Sequence, residues 1–133
     1  MWRAALNLLL DTHILLQAAG EPQRLSIEAL ELMKAHDNIL YFSAASIWEI
    51  VIKNGSQLPD FNVDAHLLRR GLIENGYREL PITTQHTLGV AHLPPIHRDP
   101  FDRILVAQAE FEGFLLLKMD DLVGQYPGPI RQV

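Results

Sequence analysis

The sequence predicts one α/β sandwich domain built on a mainly parallel sheet. Two apolar runs carry that expectation: Leu6-Asn7-Leu8-Leu9-Leu10 stops at Asp11, and Phe114-Leu115-Leu116-Leu117-Lys118-Met119 stops at Asp120. Runs of this length between polar residues are the pattern of strands buried on both faces. Helix and strand patterns alternate between them, the order of an α/β sandwich. The length of 133 residues suits a single domain over 1–133, and no repeat, low-complexity tract or long linker divides it.

The elements follow from start and stop signals. After the strand at 6–10, residues 12–19 form a short helix closed by Gly20. Ser26 is the N-cap of a helix reaching Asp37, and residues 39–42 are the second strand. Ser43 caps a helix over 44–54 that Gly55 stops, and a helix over 64–75 ends at Gly76. Residues 77–82 are a short strand, placed at an edge by Pro81. Residues 84–92 are helical up to Pro94-Pro95. Pro100 occupies the first turn of a helix running to Glu112, with Gly113 at its end. The strand at 114–119 precedes a loose tail containing Pro127, Gly128 and Pro129.

Composition narrows the chemistry. The chain has no cysteine, which excludes a disulfide scaffold, a thiolate zinc site and a cysteine nucleophile. The formal net charge of -5 argues against a large phosphate footprint on long duplex, since such binders are usually basic. It permits a metal-dependent nuclease with a small footprint. The amino terminus has neither the length of a transmembrane span nor the cleavage region of a signal peptide, so a soluble cytoplasmic protein without membrane association is expected.

Four acids stand out. Asp11 and Asp120 end strands, and in open α/β sheets ligands bind outside the carboxyl ends of strands. Each equally fits the N-cap of a following helix. Glu49 lies in Ser46-Ile47-Trp48-Glu49-Ile50-Val51-Ile52-Lys53, where helical spacing aligns Ser46, Glu49 and Lys53. The apolar neighbours predict a well-buried helix, in which a glutamate needs a cation or strong hydrogen bonds. A solvated Glu49–Lys53 pair is the plainer reading. Asp102 belongs to the dense polar run His97-Arg98-Asp99-Pro100-Phe101-Asp102-Arg103. Asp99 suits the N-cap and can pair with Arg103, and Asp102 approximates a capping box. Four carboxylates with few evident partners suggest a divalent cation.

There is no phosphate-binding glycine loop, no His-Glu-x-x-His pair and no Gly-x-Ser-x-Gly elbow. The six histidines show no ligand spacing. His66, His86 and His92 are expected at or near the surface, while His13 and His97 neighbour the candidate acids. Leu67-Leu68-Arg69-Arg70 reads as an amphipathic face.

Three segments in order, Leu8-Leu9-Leu10-Asp11-Thr12-His13, Ser43-Ala44-Ala45-Ser46-Ile47-Trp48-Glu49-Ile50, and Leu93-Pro94-Pro95 with residues 97–103, resemble PIN-domain proteins, and most closely VapC-type toxins of bacterial toxin–antitoxin pairs. The resemblance implies a three-layer α/β/α domain and a divalent-cation-dependent endoribonuclease. It places the catalytic and metal-binding acids on Asp11, Glu49, Asp102 and Asp120, with Asp121 as a competitor for the last position. It implies an RNA substrate, a homodimer and a small VapB-type antitoxin. Four carboxylates suit Mg²⁺ or Mn²⁺, hard cations that prefer oxygen, and one or two ions remain open. Arg98, Arg103 and Lys53 are candidates for substrate phosphate.

One position departs from the pattern. The family usually has Thr or Ser two residues before the last acid, where this chain has Lys118. Strand alternation aims residue 118 the same way as residue 120, so Lys118 is expected in the acidic pocket, paired with Asp120 or Asp11, where it could also meet substrate. Snorkelling to solvent is the plainer alternative. Lys118 also favours a rival reading: a catalytically weak or inactive PIN-fold module that binds RNA or a protein partner. A DNA-directed structure-specific nuclease is a third reading, opposed by the lack of a basic duplex-tracking arm.

Overall fold

In the computed structural model, residues 5–55, 62–95, 98–119 and 128–133 are described. Five strands, β1 (Asn7–Leu10), β2 (Ile39–Ser43), β3 (Arg78–Leu80), β4 (Leu115–Lys118) and β5 (Ile130–Gln132), form one sheet in the order β3-β2-β1-β4-β5. Every pairing is parallel, with Leu9 of β1 in register with Tyr41 on one side and Leu116 on the other. Among the described residues, six α-helices flank the sheet: α1 (Thr12–Gly20), α2 (Ile27–Lys34), α3 (Ala44–Asn54), α4 (Ala65–Glu74), α5 (Thr84–Val90) and α6 (Pro100–Glu112).

Alternation along β1 sorts the core into two layers. Leu8 and Leu10 pack with Ile14 and Leu15 of α1, Leu32 of α2, Ile50 of α3 and Leu72 of α4. Leu9 and Leu116 pack with Leu105, Val106 and Ala109 of α6. All three β1 leucines are fully buried, as a strand covered on both faces requires. This is the three-layer α/β/α arrangement. No helix among the described residues is long and apolar enough to cross a membrane.

The expected caps Ser26, Ser43 and Asp99 are in place, each accepting a backbone N–H from the first turn of the helix it precedes, and Asp64, expected as the first helical residue, caps α4 in the same way. Gly113 ends α6 at φ 74°, a left-handed conformation that favours glycine. Pro81 follows the edge strand β3, as expected.

Three expectations need correction. The tail is not uniformly loose: residues 130–132 form β5, whose ladder continues where Leu116 N–H donates to Pro129 O at 2.8 Å and Val133 N–H to Lys118 O at 2.8 Å. Helix α3 is not buried all round, because Trp48, Val51 and Ile52 share an outward stripe at i, i+3, i+4 and are 57%, 53% and 45% exposed. His86 is not near the surface but fully buried. Its Nδ1 accepts from Thr83 N–H at 3.0 Å and its Nε2 meets Glu112 Oε2 at 2.8 Å, so hydrogen bonds at both nitrogens allow its burial.

The strand order reverses between β1 and β4. The chain moves outward from β1 through β2 to β3, then returns to the other side of β1. Such a switch point opens a crevice at the carboxyl ends of the two strands. Asp11 follows β1, and Lys118 closes β4.

Candidate metal-binding nuclease site

Asp11 is fully buried and divides its two oxygens between two tasks. Oδ1 accepts Ile14 N–H at 2.7 Å and caps α1. Oδ2 accepts Met119 N–H at 3.2 Å across the switch point and lies 3.5 Å from the Lys118 ammonium. The cap thus occupies one oxygen and leaves the other to Met119 and Lys118, because a carboxylate has acceptor capacity for both.

Lys118 is 4% exposed and faces the acids, which removes the snorkelling alternative. Its ammonium contacts Asp11, one of the expected partners, and also forms a short ion pair with Asp102 of α6. The Asp102 pair was not among the expected ones. It arises because α6 packs along β4 and its first turn ends beside the strand's carboxyl end.

Glu49 reaches the same place from α3. It is 7% exposed, and its Oε1 accepts the Thr12 hydroxyl at 2.7 Å. Its Oε2 pairs with Lys53 at 2.7 Å, the i,i+4 pair of the plainer reading. Thr12 Oγ1 also lies 3.0 Å from Ser46 Oγ. Thr12 has one proton to give and gives it to the carboxylate, so Ser46 is the donor in the second bond.

A cavity of about 160 Å³ here is lined by Thr12, His13, Glu49, Lys53, Asp99, Asp102 and Lys118. His13 is exposed at this cavity. Asp120, Asp121 and His97 lie outside the described residues. Of the four predicted acids, Asp11 and Asp102 thus share the Lys118 ammonium, and Glu49 is held by Thr12, the residue after Asp11; Glu49 and Asp102 line the cavity.

The two arginines lie beside this cluster. Arg103 Nη1 donates to Pro94 O at 3.2 Å and its Nη2 to Val90 O at 3.1 Å, tying α6 to the end of α5. Arg98 is exposed and, with Trp48, Ile82, Phe101 and Arg103, lines an adjoining apolar groove of about 550 Å³. The Trp48 and Phe101 rings meet there edge to face at 5.1 Å.

Thr12 and Ser46 are site residues to which the sequence assigns no role, although Ser46 is aligned there with Glu49. A signal existed for each: Thr12 follows the strand-end acid, and Ser46 sits one helical turn before Glu49. Neither has an ionisable group to draw attention.

The donor set fits a hard divalent cation by chemistry, since it consists of carboxylate oxygens around a small polar cavity. The positive charge there is supplied by two ammonium groups, Lys118 on Asp11 and Asp102, and Lys53 on Glu49. Among the described residues, no group of three or more acidic, histidine or cysteine side chains is arranged around one ion position.

Comparison with known proteins places this geometry in a family. The PIN domain profile matches residues 8–126. No curated protein matches the chain. Solved structures do. The chain is similar to VapBC2 from Rickettsia felis, solved bound to a DNA fragment from its promoter, at TM-score 0.72 and 13% identity, over 96% of this chain and 98% of that one. It is similar to DNA-bound VapBC from Salmonella typhimurium at TM-score 0.65 and 17% identity, over 96% and 98%. It is also similar to VapBC-1 from nontypeable Haemophilus influenzae at TM-score 0.63 and 13% identity, over 96% and 98%. At these identities the likeness speaks for the fold, whereas the profile covers most of the chain. The chain belongs to the PIN domain family.

Proposed function

We propose that this protein is a divalent-cation-dependent endoribonuclease, the VapC-type toxin of a toxin–antitoxin pair. The observation that carries the reading is that buried Asp11 and Asp102 share Lys118 at the sheet's switch point, with Glu49 and Asp102 lining a polar cavity there. Burying charged groups is costly even when they are paired, so a fold that gathers them beside a cavity uses them for something a neutral cluster could not do.

Asp11, Glu49 and Asp102 would hold Mg²⁺ or Mn²⁺, with Asp120 as the fourth acid by family resemblance. When bound, the ion lowers the pKa of water and neutralises charge on phosphoryl oxygens. Asp11 is fixed by the Ile14 and Met119 N–H groups, so its carboxylate cannot swing away from the cavity. Thr12 orients Glu49 through one oxygen. Arg98 and Arg103 are the proposed contacts to substrate phosphate, and the net charge of -5 keeps that footprint small. A VapB-type antitoxin and a homodimer are the proposed protein partners, in the cytoplasm. The exposed stripe of Trp48, Val51 and Ile52 is the kind of apolar surface such contacts cover.

A second reading is a PIN module that binds RNA or a protein without cleaving. The Lys118 ammonium on two of the acids favours it. Defined RNA incubated with Mn²⁺, with Asp11→Asn as control, separates the two. The proposal expects cleavage that EDTA and Asp11→Asn both abolish; RNA binding without any cleavage would favour the module.

A further inference from the structure

We infer that Lys118 is a resident cation of the acidic pocket, standing where the carboxylates of Asp11 and Asp102 would otherwise share a divalent ion. Its ammonium is 3.5 Å from Asp11 Oδ2 and ion-pairs with Asp102. At 4% exposure it has almost no water to solvate it, so those carboxylates are what make its burial tolerable. The relation is mutual. Two carboxylates brought to one ammonium need no metal to stay together, and an ammonium between them raises the cost of bringing a dication to the same place.

The backbone fixes the arrangement. Lys118 is the last residue of β4; its carbonyl accepts Val133 N–H at 2.8 Å, and the next N–H, of Met119, donates to Asp11 at 3.2 Å. The side chain therefore leaves a strand end pinned on both sides, toward Asp102 in the first turn of α6. A lysine that merely met substrate would gain nothing from such a depth.

Two consequences follow. One ammonium offsets half of the carboxylate charge at the Asp11–Asp102 position without metal, so repulsion between the two acids is eased in the apo protein. Any divalent cation is bound weakly, or through the remaining acids, until Lys118 is displaced. This rests on the nuclease reading only for the choice of Mn²⁺ as probe, and its test contains no RNA.

The experiment measures Mn²⁺ binding by calorimetry and melting in EDTA and in Mn²⁺, for wild type, Lys118→Thr, Lys118→Met and Lys118→Arg. Both neutral variants should melt below wild type in EDTA, bind Mn²⁺ at least tenfold more tightly, and gain more from Mn²⁺ than wild type does. Lys118→Arg should behave as wild type. Neutral variants that are folded only in Mn²⁺ would give the same answer more strongly. Equal Mn²⁺ affinity in wild type and neutral variants would overturn the inference, and would leave Lys118 as a substrate contact or a structural ion pair. Neutral variants that are unfolded in EDTA and Mn²⁺ alike would overturn it too, since the metal must be able to replace the lost charge. A failure of RNA cleavage in every variant bears on the nuclease reading and leaves these binding results standing.

Discussion

Helix α6 carries members of two buried polar clusters that solve the same problem differently. Asp102 in its first turn belongs to the acidic pocket; Gln108 and Glu112, further along, belong to a network around His86. In the network, the Ser43 hydroxyl donates to Gln108 Oε1 at 2.6 Å, and Gln108 Nε2 lies 3.4 Å from His86 Nδ1 and donates to Pro81 O at 3.4 Å. Thr83 N–H donates to His86 Nδ1, which puts the ring proton on Nε2, facing Glu112. This network ties β2, α5 and α6 together with mostly neutral groups, each matched to a partner. The acidic pocket holds three carboxylates and two ammonium groups next to a cavity. Hydrogen bonds between neutral groups lock a fold; charges gathered around an opening cost stability and are kept for chemistry. The first cluster is read here as architecture, the second as function.

The largest effect expected to sharpen that contrast is on activity. Glu49→Gln should lower RNA cleavage by at least about a hundredfold, because loss of even an outer partner of a metal ligand typically costs 10–100-fold. Single-turnover cleavage measures it. A Glu49→Gln protein as active as wild type would move Glu49 into the architectural class. Next, Mn²⁺ at a hundredfold excess over its dissociation constant should stabilise the protein by about 2.7 kcal/mol, whatever that constant is. Asp11→Asn should blunt the gain; an equal rise in both proteins would place the bound metal elsewhere.

Gln108→Leu should cost about 1–3 kcal/mol in urea unfolding, since it leaves the Ser43 hydroxyl without its acceptor in a buried setting. Cleavage below the melting range should persist, and its loss would join the two clusters into one functional unit. The smallest effect is expected for Lys53→Met. Its pair with Glu49 is i,i+4 and the lysine is 40% exposed, so solvent screening holds the change to less than about 0.5 kcal/mol.

The same contrast explains what the sequence discloses. β1 and β4 are legible because a strand covered on both faces must be apolar throughout, and caps such as Ser43 and Asp99 are legible because they act within a few residues of their own position. β5 is not, because residues 130–132 are paired through backbone groups and only partly buried. The burial of His86 escapes for a related reason: its partners at 83, 108 and 112 become neighbours only after α5 packs on α6. In the pocket, Asp11 and Glu49 announce themselves as acids in apolar surroundings, and Asp102 through the polar run 97–103. The exposed stripe of α3 misleads, since Trp48, Val51 and Ile52 look like core residues and face outward. Strand alternation turns Lys118 toward the acids, whereas its partner Asp102 depends on how α6 meets β4.

The central claim separates function from architecture, and one paired measurement tests it most directly. RNA cleavage in Mn²⁺ and the urea midpoint are measured on the same preparations of Asp11→Asn and Gln108→Leu. Asparagine caps a helix as well as aspartate does, so Asp11→Asn should keep the α1 cap and lose cleavage. Gln108→Leu should lower the urea midpoint and keep cleavage. Cleavage by Asp11→Asn at the wild-type rate, or loss of cleavage in folded Gln108→Leu, would contradict the account.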